Sequence, residues 1–301
     1  MKATEIYEIF IILQLSIGVS GNAFLLLLSI RTVSTSHKPN SSDLIFAHLA
    51  LANILILLTR GIPGVLSIWG LRNVLDDIGC KLLIYIYRVA RSLVICTTCL
   101  LNVFQAVTIS PSTSRWAGIK AKLPKCIIPC FLFFWVLSLL IDVSAPVYIL
   151  GPQNSTNDQY IFVLKHCSLA NISTEELIIN SCVNSFRDFL FMGLMSVASG
   201  YMVFVLHRHR RQVRHLHGPG GSPGAIPAVR AVKCVVALLA LYLLFYSLEI
   251  IMLNIFMNMR NRSPQMRTNI DLSITFSVFT PFLVIHSNRR IRTCGKRKSH
   301  P

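Results

Sequence analysis

The chain has 301 residues, of which 53% are hydrophobic and only 14% are charged, and its mean hydropathy is +0.60. Soluble domains carry about a quarter charged residues, so this composition indicates a membrane protein and not an ordinary soluble domain. The formal net charge of +17 raises the question of nucleic-acid binding, but excess Lys and Arg in a membrane protein usually lie in its cytoplasmic loops.

Seven apolar segments are each near or above the roughly 20 residues that a helix needs to cross the hydrocarbon core. We therefore predict an all-α membrane protein, a single seven-helix bundle over residues 1–301 that ends in a short basic tail, 288–301. The first segment is too long for a signal-peptide core and stays apolar where a cleavage site would lie, so it is a retained span. The predicted spans are approximately Ile6–Ile30, Leu44–Trp69, Leu82–Ile109, Cys126–Leu150, Phe186–Leu206, Val232–Met257 and Asn269–Ser287.

Basic residues in the connecting loops predict the orientation. With the N-terminus outside, 18 Lys and Arg residues lie on the cytoplasmic side and 7 on the outer side. This bias places the N-terminus outside and the C-terminus inside, and makes the positive charge an orientation signal instead of a nucleic-acid-binding surface. The run "HGPGGSPGAIP" at 217–227 cannot continue a helix and predicts a mobile connector between the fifth and sixth spans.

The predicted topology indicates which cysteines and glycosylation sequons lie on the outer side of the membrane. Cys80 at the outer mouth of the third span and Cys167 in the second outer loop both face the oxidising side, which favours a disulfide between them. Cys182, near the outer end of the fifth span, is the rival partner. Asn154 and Asn171 in the same loop are acceptors for N-glycosylation if the loop is extracellular.

Cys96 and Cys99 form a Cys-x-x-Cys pair 16 and 19 residues beyond Cys80, deep in the third span. A redox pair needs solvent access, and a zinc site needs two further ligands, so we expect neither here. Small, weakly polar residues favour close helix packing, with the threonine hydroxyls bonding back to their own turn. Cys294 in the basic tail is a candidate for palmitoylation, with a plain reduced thiol as the alternative.

The third span and the loop after it carry a more specific pattern. The run "SLVICTTCLLNVFQAVTISPSTSRWAGIKAK" resembles the third span and second inner loop of the vomeronasal type 1 receptors, a family of pheromone receptors. The resemblance covers nearly the whole chain and weakens after about residue 287. Other stretches agree with it, namely "GNAFLLL", "DLIFAHLALANILILLTRGIP", "FRDFLFMGLMSVASGYMVFVLHRHRRQVRHLHG" and "FYSLEII".

The resemblance implies a G-protein-coupled receptor without a cofactor. Its expected partners are a small pheromone-like ligand and an inhibitory-type heterotrimeric G protein, at the plasma membrane of vomeronasal sensory neurons. The chain lacks the Asp-Arg-Tyr of rhodopsin-like receptors, because no Arg occurs between Arg91 and Arg115. "TPFLVI" replaces Asn-Pro-x-x-Tyr, and the sixth span has no proline. These absences resemble the vomeronasal type 1 and bitter-taste families, so a bitter-taste-like receptor is an alternative.

Charged side chains at membrane depth are costly, so each is a hypothesis for a functional site. Arg88 and Arg91 share one face of the third helix, roughly 12 and 16 Å below Cys80 at 1.5 Å per residue. A pair between one of them and a carboxylate would be either a lock that a ligand displaces or a permanent structural contact. The ligand-binding candidates are Tyr87, Arg88, Arg91, Glu249 and Asp271, with Asp142, Tyr85 and Phe186 as further neighbours.

Other charged residues have plainer expected roles. Arg60 and the Arg187–Asp188 pair lie near predicted outer helix ends, where long side chains reach towards the interface. On the inner face, Pro111 ends the third helix and a basic run extends the fifth, where it contacts anionic lipid, the G protein or both. The G-protein-facing candidates are Ser110, Pro111, Arg115, Arg208, Arg210 and Arg211.

The sequence argues against two other classes of function. A small-solute transporter would require charges that cross the membrane and often carries an internal repeat, but the charges cluster towards the outer half and no repeat occurs. An intramembrane enzyme would require a His-Glu-x-x-His motif or paired aspartates at mid-depth, and neither occurs. The sequence therefore favours a receptor over a transporter and over an enzyme.

Overall fold

The computed structural model describes residues 3–35, 41–68, 75–111, 117–151, 161–164, 167–169, 174–217 and 263–287, with isolated residues between 236 and 248. The continuous ranges contain six α-helices, of which α1 to α5 are long and apolar enough to cross a membrane. The predicted sixth span, 232–257, lies almost entirely outside the described residues, so the count of seven stays a prediction. The helices are α1 Ala3–Thr35, α2 Ser41–Ile68, α3 Asp77–Ile109, α4 Ala117–Ile141, α5 Thr174–His217 and α6 Ser263–Ser287.

Many of the residues in these helices are β-branched, a type that favours strands in water. Hydrocarbon offers no partner to backbone N–H and C=O groups, so a spanning segment forms a helix that satisfies them internally. Hydroxyl side chains follow the same rule: Ser20 donates to the Ser16 carbonyl at 2.7 Å, and Thr98 to the Val94 carbonyl at 2.7 Å. Polar residues are thereby accommodated inside apolar helices.

Helix α3 lies at the centre of the bundle and packs against α2, α4 and α5. Every side chain from Ser92 to Asn102 is buried, which is expected of a helix that is covered on all sides. Helix α1 packs against α2 and α6 on one side of this core. Most large apolar side chains on the outward faces of α1, α4 and α5 are exposed, as a lipid-facing surface requires.

A small antiparallel sheet closes one end of the bundle. Its strand order is β1 (Ile149–Leu150), β3 (Cys167–Leu169), β2 (Ile161–Leu164). The Cys80–Cys167 disulfide fastens β3 to the start of α3. The Gly151 N–H donates to the Asp77 carboxylate at 2.9 Å, and a Cβ on Gly151 would lie 3.0 Å from the Asp77 nitrogen, so this approach requires glycine. We call this end of the bundle the disulfide end.

The helices differ from the predicted spans in their limits, most of all at the fourth and fifth spans. The fourth span is predicted at 126–150, but α4 begins nine residues earlier, at Ala117, and ends at Ile141. It ends there because the backbone bonds tighten to i−3 after Asp142, and Pro146 cannot donate one. Residues Ala145–Tyr148 form a 3₁₀ turn that leads into β1. The fifth was placed at 186–206, but α5 begins twelve residues earlier and ends eleven later. Its 44 residues span about 66 Å, twice the hydrocarbon thickness.

Candidate functional site

Arg88 forms the centre of a contact between three helices near the disulfide end. Its Nε donates to Asp142 Oδ1 at the end of α4 at 2.7 Å. Its Nη2 donates to Asn180 Oδ1 on α5 at 2.9 Å, and Asn180 also accepts from Asn184 at 2.8 Å. Of the carboxylates that the sequence placed opposite Arg88, the structure therefore pairs it with Asp142.

Arg187, on α5, contacts the same Asp142 carboxylate as Arg88. Arg187 Nη1 lies 3.3 Å from Asp142 Oδ2, and its Nη2 lies 3.0 Å from Asp188 Oδ1. Arg91 Nη2 lies 3.9 Å from Asp188 Oδ2, which brings the second candidate arginine of α3 to the same cluster. We call Arg88, Arg91, Asp142, Arg187 and Asp188 the charged network.

The charged network is unevenly buried. The side chains of Asp142, Arg187 and Asp188 are 1%, 6% and 4% exposed, whereas those of Arg88 and Arg91 are 28% and 33% exposed. Buried carboxylates in a bilayer require paired donors, and here both are held by guanidinium groups. The two accessible groups are thus both guanidiniums, which are hydrogen-bond donors with no acceptor atom.

The prediction that the side chains of Arg187 and Asp188 extend from a helix end towards the membrane interface is wrong. Both are buried against α3 and the end of α4, and they lie well inside a helix that begins at Thr174. Asn180 and Asn184 were missed altogether. Their spacing gives a signal: Asn180, Asn184 and Arg187 recur at three- and four-residue intervals and mark one polar face of a helix.

The aromatic candidates are divided between the core and the surface. Tyr87 is buried, and the Arg60 guanidinium lies over its ring at 3.8 Å, a cation–π contact between α2 and α3. Arg60 is therefore held by α3 instead of reaching to the interface. The Tyr85 hydroxyl donates to the Leu139 carbonyl on α4 at 3.1 Å. Phe186 is 70% exposed on the outer surface of α5, so it does not line an interior site.

The structure gives no contact for the two remaining acidic candidates. Glu249 lies outside the described residues, and Asp271 belongs to α6 but its side chain is not among those described. Asn154, Asn171 and Cys294 also lie outside the described residues.

At the opposite end of the bundle, Ser110 is 3% exposed, so its side chain is buried and does not form part of the surface that a G protein would contact. Its hydroxyl donates to the Ala106 carbonyl at 2.8 Å and lies 3.0 Å from the Tyr201 hydroxyl of α5. Pro111 and Arg208 are exposed at this end. Arg210 and Arg211 extend α5 beyond Arg208, without described side chains, and Arg115 lies outside the described residues.

A neutral polar cluster joins α2, α3 and α4 beside the cysteine pair. The Trp135 indole N–H donates to His48 Nε2 at 3.1 Å, so the imidazole proton is on Nδ1, which lies 2.8 Å from Thr97 Oγ1. Cys96 and Cys99 are buried at 0% and 2% exposure in the core of the bundle. Thr97 therefore bonds to another helix, where a bond to its own turn was expected.

The described residues contain no group of three or more His, Cys, Asp or Glu side chains placed to hold a metal ion. The Cys-x-x-Cys pair stands in the apolar core cluster with Leu93, Leu100 and Met195. Within this part of the chain, the pair therefore contributes packing volume between helices.

Known proteins of one receptor family match this chain along nearly its whole length. A family model described as "Vomeronasal organ pheromone receptor family" matches residues 5–296. The chain is 35% identical over 283 residues to "Olfactory receptor class A-like protein 1" of Danio rerio, covering 93% of this chain and 89% of that protein. It is 34% identical over 276 residues to "Vomeronasal type-1 receptor 4" of Homo sapiens, covering 91% and 92%. It is 40% identical over 206 residues to "Vomeronasal type-1 receptor 3" of Homo sapiens, covering 68% and 66%.

Proposed function

Because this chain belongs to the vomeronasal organ pheromone receptor family, we propose that it binds a small apolar or volatile ligand and activates an inhibitory-type heterotrimeric G protein. The chain is a multi-pass membrane protein of the G-protein-coupled receptor class. The proposed receptor has seven spans, an extracellular N-terminus and a cytoplasmic C-terminus. It acts at the plasma membrane of sensory neurons.

One observation carries the proposed ligand site: the charged network presents two partly exposed guanidiniums over two buried carboxylates. The disulfide end faces outward in the proposed orientation, so Arg88 and Arg91 are accessible from outside. An oxygen atom on an otherwise apolar ligand, such as a ketone or hydroxyl oxygen, accepts a hydrogen bond from either group. Tyr87, beside Arg88 on α3, is buried beneath the Arg60 guanidinium and therefore supports this region from within the bundle.

The charged network also provides the proposed route by which ligand binding changes the packing of the helices. Ligand contact draws a guanidinium away from Asp142 or Asp188, and the buried carboxylate then has fewer donors. Since α3, α4 and α5 all contribute to the network, a change in its pairing changes how these three helices pack. A ligand shifts this equilibrium only by its difference in affinity for the two packings. Glu249 and Asp271 remain proposed members of the site from the sequence alone.

The opposite end is the proposed G-protein surface. Helix α5 projects past the membrane with Arg208, Arg210 and Arg211, and Pro111 ends α3 nearby. Arg115 follows in the adjoining loop. Such a basic surface attracts both anionic lipid and an acidic protein face, so the two contacts are compatible. The proposal also includes N-glycosylation at Asn154 and Asn171, and palmitoylation of Cys294.

Expression of the chain in cells with an inhibitory-type G protein tests the proposal. Cells are challenged with volatile and steroid-like compounds, and nucleotide exchange on the G protein is recorded beside surface expression. We expect Arg88→Ala and Arg91→Ala each to abolish the agonist response while the protein stays at the surface. Lys81→Ala is the matched control, because it removes an exposed i,i+4 pair with Asp77 from the same helix.

Three results would contradict the proposal in different ways. Unchanged dose responses in both arginine variants would remove the charged network as the ligand site. Activation of a stimulatory G protein would remove the inhibitory coupling. Solute flux across the membrane, with no G-protein response to any compound, would overturn the receptor function and favour a transporter.

A further inference from the structure

Two neutral hydrogen bonds connect α3 to α5 in the half of the bundle away from the disulfide. The Ser199 hydroxyl donates to Asn102 Oδ1 at 2.8 Å, and the Ser110 and Tyr201 hydroxyls lie 3.0 Å apart. Asn102, Ser110 and Ser199 are 0%, 3% and 5% exposed, so the bonds are made in an apolar interior. Neither the ligand site nor the basic surface uses these four side chains.

We propose that the Ser110–Tyr201 hydrogen bond is a latch that holds α5 against α3 in the unstimulated receptor, and that an agonist opens it. The inference rests on the proposed function, since it assigns a step of activation. It also changes the role of Ser110 from a G-protein contact to an internal residue that positions α5.

The α3 side of the latch is held rigidly. Ser110 caps the C-terminus of α3 with non-helical backbone angles (φ −58°, ψ 141°), and its backbone N–H and hydroxyl both donate to the Ala106 carbonyl. Lys120 of α4 donates to the Thr108 carbonyl at 2.8 Å, which also ties the end of α3 to the next helix. Motion at this junction is therefore expected in α5 and not in α3.

On the α5 side, two hydrogen bonds hold the helix, and a long segment continues beyond them. Ser199 and Tyr201 are two residues apart and so project about 200° apart around the helix axis, which means that the two bonds resist rotation of α5 in both directions. Asn102 is fixed by its own bond to the Thr98 carbonyl at 2.8 Å. Beyond Tyr201, α5 continues to His217, about 24 Å further, so a small tilt of α5 at Tyr201 produces a larger displacement at its end.

Single substitutions separate the latch from general packing. We expect Tyr201→Phe and Ser110→Ala each to raise agonist-independent G-protein activation about three- to tenfold at equal surface expression, the fold-change that loss of one intramembrane hydrogen bond gives. The double variant should equal either single variant, since both remove the same bond. Ser110→Thr, which keeps the hydroxyl, should retain wild-type basal activity. Ser196→Ala is the control, because among the described residues that hydroxyl bonds only to the Met192 carbonyl of its own turn.

Unchanged or lowered basal activity in both single variants would overturn the latch, as would a double variant whose effect is the product of the two. A wild-type receptor that responds to agonist in the same cells shows that such a failure belongs to the latch and not to the proposed function.

A distance measurement tests the latch without relying on signalling. Spectroscopic labels are introduced as non-natural amino acids at Lys122 on α4 and His207 on α5, both exposed, so that the native cysteines stay unlabelled. In purified receptor, Tyr201→Phe should shift the distance distribution to longer values that wild type reaches only with agonist. Identical distributions in wild type and Tyr201→Phe would overturn the inference whatever the signalling assay gives.

Discussion

Neutralising Asp142 is the most direct test of the charged network. Asp142 is 0% exposed and accepts from Arg88 at 2.7 Å and from Arg187 at 3.3 Å, so Asp142→Asn keeps the shape and removes the charge that two guanidiniums share. Removing one partner of a buried ion pair costs about 3–5 kcal/mol. Arg187 keeps Asp188, and Arg88 is partly solvated, so the expected loss is at the lower limit, about 3 kcal/mol.

Thermal unfolding of the purified receptor in lipid nanodiscs measures this loss. For a chain of this size, 1 kcal/mol shifts the midpoint by about 2 °C, so Asp142→Asn should lower Tm by roughly 6 °C. The control is Lys81→Gln, which breaks an exposed pair with Asp77 and should leave Tm nearly unchanged. Both variants change one charge near the same end of the bundle, and they differ chiefly in burial.

A second substitution distinguishes paired charges from independent ones. Asp142→Asn combined with Arg187→Gln restores the net charge of the network, and we expect this double variant to be less destabilised than the two single losses added together, by at least about 1 kcal/mol. A loss below about 1 kcal/mol for Asp142→Asn alone, or strict additivity in the double variant, would refute the buried network as a source of stability.

Two further predictions concern the cysteines. Cys80→Ser, Cys167→Ser and the double variant should lose the same amount of stability, about 4–5 kcal/mol for a crosslink that joins residues 87 apart. Cys182→Ser should change nothing, and unequal single losses in the same unfolding assay would contradict the pairing. Cys96→Ala with Cys99→Ala should leave the agonist dose response unchanged and cost about 1 kcal/mol per site from lost packing; a lost response at normal surface expression would show that the pair does more than fill space.

The sequence placed Arg88 and Arg91 in one interior site because charge at membrane depth is rare and needs a partner. It did not choose among Asp142, Glu249 and Asp271. That choice depends on how each helix is rotated about its own axis, and an apolar segment that is hydrophobic on all sides carries little information about rotation. In the structure, the end of α4 turns Asp142 inward to meet Arg88.

Other differences come from where helices end. Hydropathy predicts that α5 starts at Phe186, where the apolar residues begin, and this start assigns Arg187 and Asp188 to a helix end. The helix continues through the polar stretch back to Thr174, because its polar side faces Arg88 instead of lipid. Hydropathy locates the part of a helix that lipid surrounds, and it does not detect polar turns that are buried against other helices.

The contacts of α5 with α3 differ in strength between its two ends, and this difference determines which end moves. Near the disulfide, contacts of charged groups join α5 to α3 (Arg88–Asn180 and Arg91–Asp188) and to the end of α4 (Arg187–Asp142). Hydrogen bonds to charged groups contribute about 1.5–3 kcal/mol each. Away from it, the bonds of Ser199 and Tyr201 are neutral and contribute about half as much. A ligand that weakens one charged contact leaves others in place, so α5 stays attached there. The change in helix packing then acts on the weaker neutral bonds, among them the proposed Ser110–Tyr201 latch.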